Sequence, residues 1–207
     1  MHDLIINCKN SIIFASKYKT THNFFIMETI ITLGDKKFKK YIDYQTVEKS
    51  IAEIAKKMNA DMAGEDIPLI VGVLNGSFMF LADLMKNINF NCELTFVRVA
   101  SYKGTESTGE HNEILGLNTN IDGRIVILVE DIVDTGNTIV KLHKMLTEKH
   151  SPKQVKIATM LLKPKIYDKP LALDYVAIEI PNDFIVGYGL DYNELGRNLK
   201  DIYKITE

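Results

Sequence analysis

Glu130, Asp131 and Asp134 run straight into Thr135-Gly136-Asn137-Thr138, so carboxylates, hydroxyls and a glycine crowd a single short stretch. Two kinds of chemistry meet there. Free backbone N–H groups and the positive end of a helix dipole attract a phosphate, and a glycine lets the backbone come close to it. The carboxylates would repel that same phosphate. They must therefore serve another part of the same ligand: hydroxyls to hydrogen-bond, a metal ion, or a proton to take. A sugar phosphate with free hydroxyls satisfies both halves of the stretch.

The flanking residues say how such a loop is held. Val126-Ile127-Leu128-Val129 is apolar and mostly β-branched, which predicts a buried strand ending before the acids. A helix is expected to begin near Thr138, with Ile139, Leu142, Met145 and Leu146 on one face. Upstream, Ile30 to Leu33 reads as a short strand, and Val47, Ile51, Ile54, Ala55 and Met58 predict an amphipathic helix over 44–59. A buried strand over 68–74 breaks at Asn75-Gly76-Ser77, and Phe78, Leu81, Ala82 and Met85 mark the helix after it. Further strands are expected at 92–100 and 155–162, with short strand-like pieces at 174–180 and 184–188. The polar run 101–112 has no apolar periodicity and is long for a connection, which makes it a candidate lid.

Strands alternating with helices predict an α/β fold with a mostly parallel, twisted sheet covered by helices on both faces. Beyond Lys163 the prolines at 164, 170 and 181 and the frequent aromatics predict a small lobe instead of another βα unit. Ligands of open α/β sheets sit outside the carboxyl ends of the strands. One cleft is therefore expected to gather the 75–77 and 130–138 tips, the 101–112 loop and Lys163.

With the strand before it and the acidic pair in place, the 130–138 stretch resembles the signature by which type I phosphoribosyltransferases bind phosphoribosyl pyrophosphate (PRPP). The tail extends the likeness. Leu162-Lys163, then Glu179-Ile180-Pro181-Asn182-Asp183-Phe184-Ile185-Val186-Gly187-Tyr188-Gly189-Leu190-Asp191-Tyr192-Asn193-Glu194 and Arg197, resemble the C-terminal lobe of hypoxanthine-guanine phosphoribosyltransferases. The similarity runs from about residue 29 to the end.

The resemblance implies the type I phosphoribosyltransferase fold, with a hood lobe built from the C-terminal and N-terminal segments, mainly 163–207, on a domain spanning 27–207. It implies purine salvage: transfer of the 5-phosphoribosyl group to N9 of hypoxanthine and guanine, giving IMP or GMP and pyrophosphate, with Mg²⁺ as cofactor. Asp134, Thr135, Gly136, Asn137 and Thr138 would hold the 5′-phosphate. Glu130 and Asp131 would take the ribose hydroxyls, directly or through the metal, and Asp191 would be a further metal-linked carboxylate beside the purine. Leu74, Asn75, Gly76 and Arg197 would contact pyrophosphate. Lys163 would donate to O6 of the purine, Phe184 would stack on it, and Ile185 would meet its edge through the main chain. Asp134 would act on N7 as general base, and Ser101-Tyr102 would lie at the tip of a flexible loop closing over the reacting centre. Many relatives carry lysine where this chain has Asn75, so a cation for the pyrophosphate is missing at that turn. A cis peptide between the first two residues of the turn is frequent in the family.

The 207 residues suit one large domain that buries a full core without staples. A net charge of −2 offers no bulk attraction to nucleic acid or an anionic membrane. Cys8 and Cys92 make neither a metal-ligand spacing nor a disulfide framework, which fits a reducing cytoplasm. No stretch reaches the roughly 20 apolar residues that span a bilayer. Residues 1–26 carry no evident targeting signal and are expected to be a poorly ordered extension. The likeness implies a homodimer or homotetramer. Two other readings were weighed. A PRPP-sensing regulator that binds nucleic acid calls for an appended domain or a basic stripe, and neither is evident. A xanthine-preferring phosphoribosyltransferase stays open, since a C2 oxo group is read partly by main chain.

Overall fold

The structure, a computed structural model, describes residues 29–99 and 117–206, together with the strands β1 (Ile6–Cys8), β2 (Ser11–Ile13) and β7 (Ile114–Leu115). Strands β1 and β2 pair antiparallel as a separate ribbon. The remaining elements, in chain order, are β3 (Ile30–Leu33), β4 (Lys36–Ile42), α1 (Tyr44–Asp61), β5 (Leu69–Leu74), α2 (Phe78–Asn87), β6 (Glu93–Val99), β7, β8 (Ile125–Val133), α3 (Asn137–Lys149), β9 (Gln154–Leu162), β10 (Tyr175–Glu179), β11 (Ile185–Val186) and β12 (Ile202–Ile205).

Six strands form the main sheet in the order β10-β9-β8-β5-β6-β7. All pairs are parallel except the short antiparallel β6–β7 contact. The pleat divides β8 cleanly between two cores. Ile125, Ile127 and Val129 pack on the side of α1 and α2, whereas Val126 and Leu128 pack on the side of α3. The expected helical layers on both faces are therefore present. The chain leaves β5 for β6 on one side and β8 for β9 on the other, so the sequence order diverges between β5 and β8. A crevice opens outside the strand ends at such a divergence.

Several elements match their expected positions for the expected reasons. Helix α1 starts where the Asp43 carboxylate caps the Thr46 N–H at 2.8 Å, and it buries Val47, Ile51, Ile54, Ala55 and Met58. Strand β8 departs from expectation. It continues four residues past Val129, to Val133, so Glu130 and Asp131 belong to the strand's end and not to the loop.

A second, antiparallel sheet has the order β11-β12-β4-β3 and joins residues near the two ends of the described chain. Neither β4 nor β12 is evident in the sequence. Strand β4 reads Lys-Lys-Phe-Lys-Lys-Tyr-Ile and buries only Phe38 and Ile42. Between them Lys40 reaches Asp201 at 2.6 Å, so its charge is partnered rather than buried alone. In β12 a register shift between Ile202 and Tyr203 puts both of these consecutive residues inside. One expectation for the lobe needs correction. The piece near 174–180 is β10, which pairs in parallel with β9 as the edge of the main sheet.

The two sheets share a core and a polar knot. Ile42, Ile185, Tyr188 and Ile202 belong to the same buried cluster as α1 and α2. Within it, the Tyr188 hydroxyl donates to Asp83 at 2.6 Å, the Tyr44 hydroxyl donates to the same oxygen at 3.2 Å, and Lys86 donates to the other oxygen at 2.8 Å. Burial pushes the Asp83 carboxyl up, but the bonds from Lys86, Tyr188 and Tyr44 outweigh it and leave the group below the ordinary aspartate range. A carboxyl depressed in the folded state stabilises it at pH above the unfolded value near ~3.9 and loses that contribution as pH falls through the folded value. Asp83→Ala is expected to lose about 1.5–3 kcal/mol at neutral pH. Urea denaturation of both proteins from pH 7 down to pH 3 should show the gap narrowing in acid.

Candidate functional site

Strand β5 ends in the turn 74–77, where Leu74-Asn75 is a cis peptide bond, as the resemblance implied. The buried Ser77 hydroxyl donates to Val73 O at 2.6 Å, tying the turn to its own strand. Strand β8 ends beside it. A cavity of about 420 Å³ lies between them, lined by Val73, Leu74, Asn75, Gly76, Glu130, Asp131, Asn137, Thr138 and Lys141. The tips expected to meet do meet here. A smaller hollow of about 80 Å³ runs along residues 132–139, which include Asp134, Thr135 and Gly136.

The acids on this cavity are crowded. One Asp131 oxygen accepts the Ile132 N–H at 2.8 Å. Glu130 Oε2 is buried with no hydrogen-bond partner in the protein. Burial first, and the adjacent Asp131 charge second, hold the Glu130 carboxyl well above its usual range. Burial also raises Asp131, against the pull of the Ile132 N–H, a hydrogen bond from the Glu130 carboxyl and the Arg197 charge. A buried carboxylate oxygen without a partner is a costly arrangement unless a ligand or cation completes it.

Close packing leaves the turn no room for side chains. A Cβ at Gly76 would fall 1.4 Å from Asp131 Oδ2, and a Cβ at Gly189 would fall 2.0 Å from Gly76 O. Asp131, Gly76 and Gly189 are thus stacked in layers, and Arg197 closes the stack by donating to Gly189 O at 2.9 Å. Arg197 also pairs with Asp191 at 2.7 Å, while its Nε is buried without a partner. Asp191 accepts the Glu194 N–H at 2.8 Å.

The start of α3 is open to an anion. Gly136 is its N-cap in the left-handed region (φ 77°), no side chain caps the helix, and the first turn carries no acid. Tyr167 explains why this residue is a glycine. Its ring packs so closely that a Cβ at Gly136 would lie 2.4 Å from it, and the Tyr167 hydroxyl is anchored on Leu171 O. The Tyr167 N–H donates in turn to Lys163 O at 3.1 Å. Sequence reasoning missed Tyr167, which carries no local signal. It also passed over Lys141, although a residue three and four positions after Thr138 and Asn137 must share their helix face.

Lys163 stands at the far end of β9. Its N–H bonds Val133 O at 3.0 Å, and its buried ammonium bonds Asp134 at 3.0 Å and Asn182 at 3.4 Å. Phe184 is 47% exposed, so its ring is a surface offered outward instead of core, edge-on to Tyr192 at 6.0 Å. Ile185 is buried in β11. Ser101, Tyr102 and the expected lid lie outside the described residues.

Comparison with known proteins now bears on this arrangement. The family model described as phosphoribosyl transferase domain matches residues 39–193. The chain belongs to the phosphoribosyl transferase family. It is 47% identical over 156 residues to a hypoxanthine-guanine phosphoribosyltransferase of Streptococcus agalactiae, covering 75% of this chain and 86% of that one. It is 36% identical over 173 residues to one of Aquifex aeolicus, covering 83% of this chain and 97% of that one. Among solved structures, a hypoxanthine-guanine phosphoribosyltransferase of Bacillus anthracis superposes with a TM-score of 0.70 at 35% identity, over 81% of this chain and 96% of that chain. The parallel sheet flanked by helices is the fold of this phosphoribosyltransferase family.

For this phosphoribosyltransferase, Gly136→Ala is expected to cost about 1–3 kcal/mol, since both the left-handed backbone and the Tyr167 ring oppose a methyl group. A urea titration of the variant would check this, and unchanged stability would show that the ring moves aside freely.

Proposed function

We propose that the protein is a purine-salvage enzyme that transfers the 5-phosphoribosyl group of PRPP to N9 of hypoxanthine or guanine, releasing pyrophosphate. The observation that carries this reading is a juxtaposition: the Glu130–Asp131 pair, the uncapped start of α3, and the part-buried Lys163–Asp134 pair all open at neighbouring strand ends. Relatives named hypoxanthine-guanine phosphoribosyltransferase, with 86% and 97% of their lengths covered, support it.

Each part has work to do. The amides and hydroxyls of 135–138, with Asp134 bordering them, hold the 5′-phosphate. Glu130 and Asp131 accept the ribose hydroxyls. No three His, Cys, Asp or Glu side chains among the described residues form a metal cage. The partnerless Glu130 Oε2 instead fits a Mg²⁺ ion whose remaining ligands are substrate oxygens and water. Glu130 and Asp131 would hold that ion, with Asp191 contributing from the hood side, and when bound it supplies neutralisation of the leaving pyrophosphate. The 74–76 turn and Arg197 receive that pyrophosphate through main-chain amides and a guanidinium.

The base lies on Phe184, with the Ile185 main chain at its edge. Lys163 donates to O6, which a 6-amino purine could not accept, so a 6-oxo purine is favoured. Asp134 takes the N7 proton as the bond to C1′ forms. Lys163 and Asp134 pair at 3.0 Å, so each charge has a partner. A cytoplasmic location accords with the part-buried free thiol of Cys92, and no described helix is long and apolar enough to cross a membrane.

The test is a spectrophotometric assay with PRPP and Mg²⁺ against hypoxanthine, guanine, xanthine, adenine and uracil in turn. Turnover of hypoxanthine and guanine is expected; turnover of uracil alone, or of none, would overturn the reading. Asp134→Asn is expected to lower kcat by about 10²–10⁴-fold with a smaller effect on PRPP binding. Equal activity in that variant would remove the general-base role.

A further inference from the structure

The cavity between β5 and α3 has an electrostatic deficit that the residues assigned so far leave open. Its wall carries two acids, Glu130 and Asp131, while the turn opposite offers the uncharged side chain of Asn75. Beyond the Mg²⁺ ion that would accompany it, a donor that brings several phosphate charges into this space meets helix amides worth only about half an elementary charge. Lys163 pairs with Asp134 at 3.0 Å, and Arg197, the other cation assigned to the pyrophosphate, shares its charge with Asp191 at 2.7 Å. Lys141 is the cation on that wall.

Its position follows from helix geometry. Lys141 stands three and four residues beyond Thr138 and Asn137, which line the same cavity, so all three share one helical face. A long side chain on a helix leans toward the N-terminal turn, here the turn whose N–H groups are uncapped. Lys141 is solvent-exposed, so contact with an incoming anion costs its ammonium little desolvation. The buried, partnerless Glu130 Oε2 on the same wall independently marks this cavity as one that a ligand completes.

We propose that Lys141 is a phosphate-contacting residue of this site, the side chain that supplies from α3 the positive charge that the Asn75 turn lacks. This rests on the PRPP reading given above. The ammonium acts as a mobile point charge on the donor's phosphate oxygens, so it strengthens donor binding more than it lowers the barrier to transfer.

Lys141→Met keeps the length of the aliphatic stem and removes only the charge. It is expected to raise KM for PRPP about tenfold, with kcat changed by no more than about twofold, and Lys141→Arg should recover most of the loss. The ratio between wild type and variant should shrink as ionic strength rises, because the contact is solvent-exposed. Calorimetric titration of the wild-type and Lys141→Met proteins with inorganic pyrophosphate and with ribose 5-phosphate, each with Mg²⁺, needs neither base nor turnover. A weakening of either ligand supports the assignment and tells which end of the donor Lys141 touches. Unchanged affinity for both, at unchanged thermal stability, overturns it. Absence of turnover in the wild type together with Lys141-dependent pyrophosphate binding would sink the transferase reading and leave this one standing.

Discussion

Two carboxyls on consecutive residues, Glu130 and Asp131, are driven together near the end of β8, and the site's organisation follows from making that tolerable. In an ideal strand these neighbours would point to opposite faces of the sheet. Here the pairing with β5 stops at Val129 while the pairing with β9 runs on to Val133, and both residues line the cavity that opens between the diverging β5 and β8. Asp131 is stabilised by the Ile132 N–H and by the Arg197 charge, whereas Glu130 keeps one oxygen with no partner. A fold that leaves such a group buried retains local instability at that point, and this is how sites that need a ligand's oxygens or a cation commonly look.

The glycine stack is the mechanical counterpart of this electrostatics. Gly76 presses on Asp131, and Gly189 presses on the Gly76 carbonyl. With no side chain at either position, the hood turn can rest directly on the turn after β5, and Arg197 can close the layers from outside. The hood is held to the same depth by the Asp83 knot, because Tyr188, whose hydroxyl binds Asp83, is the residue just before Gly189. Tyr188 accepts a positive φ of 51° to do so. The position of the small antiparallel sheet and the shape of the cavity beside β5 and β8 are therefore coupled through a few backbone contacts.

How much of this could be read from the chain depended on whether the signal was local. Strand β8 is a run of buried β-branched residues, and α1 carries apolar residues at helical spacing; both announce themselves within a few positions. Strand β4 does not, because four of its seven residues are lysines and only Phe38 and Ile42 turn inward. Its pairing with β12, from the other end of the chain, is a tertiary fact without a local trace. Likewise the edge strand β10 resembles the lobe that follows it, and only its parallel register with β9 assigns it to the main sheet. The turn from Asp134 to Thr138 was legible as a glycine-bearing helix start because that chemistry is encoded in a few adjacent residues. Tyr167, which fixes Gly136 as a glycine, was not legible, since it meets the loop from a different segment.

The Lys163–Asp134 pair shows how the ligand-free and occupied states can differ without a large rearrangement. A buried ammonium alone would be costly, and at 3.0 Å the half-exposed Asp134 carboxylate removes most of that penalty. On the proposed reading, a 6-oxo purine inserts an acceptor toward Lys163 and an N–H toward Asp134, so every polar group lost to the other finds a replacement. A 6-amino purine would break the pair and return only donors to the lysine. The discrimination then arises less from attraction to the right base than from the unpaired buried charge that the wrong one would leave behind. The backbone makes this precise: Lys163 N–H is fixed on Val133 O, adjacent to Asp134, so the ends of β8 and β9 set the spacing of the two side chains before any ligand is present.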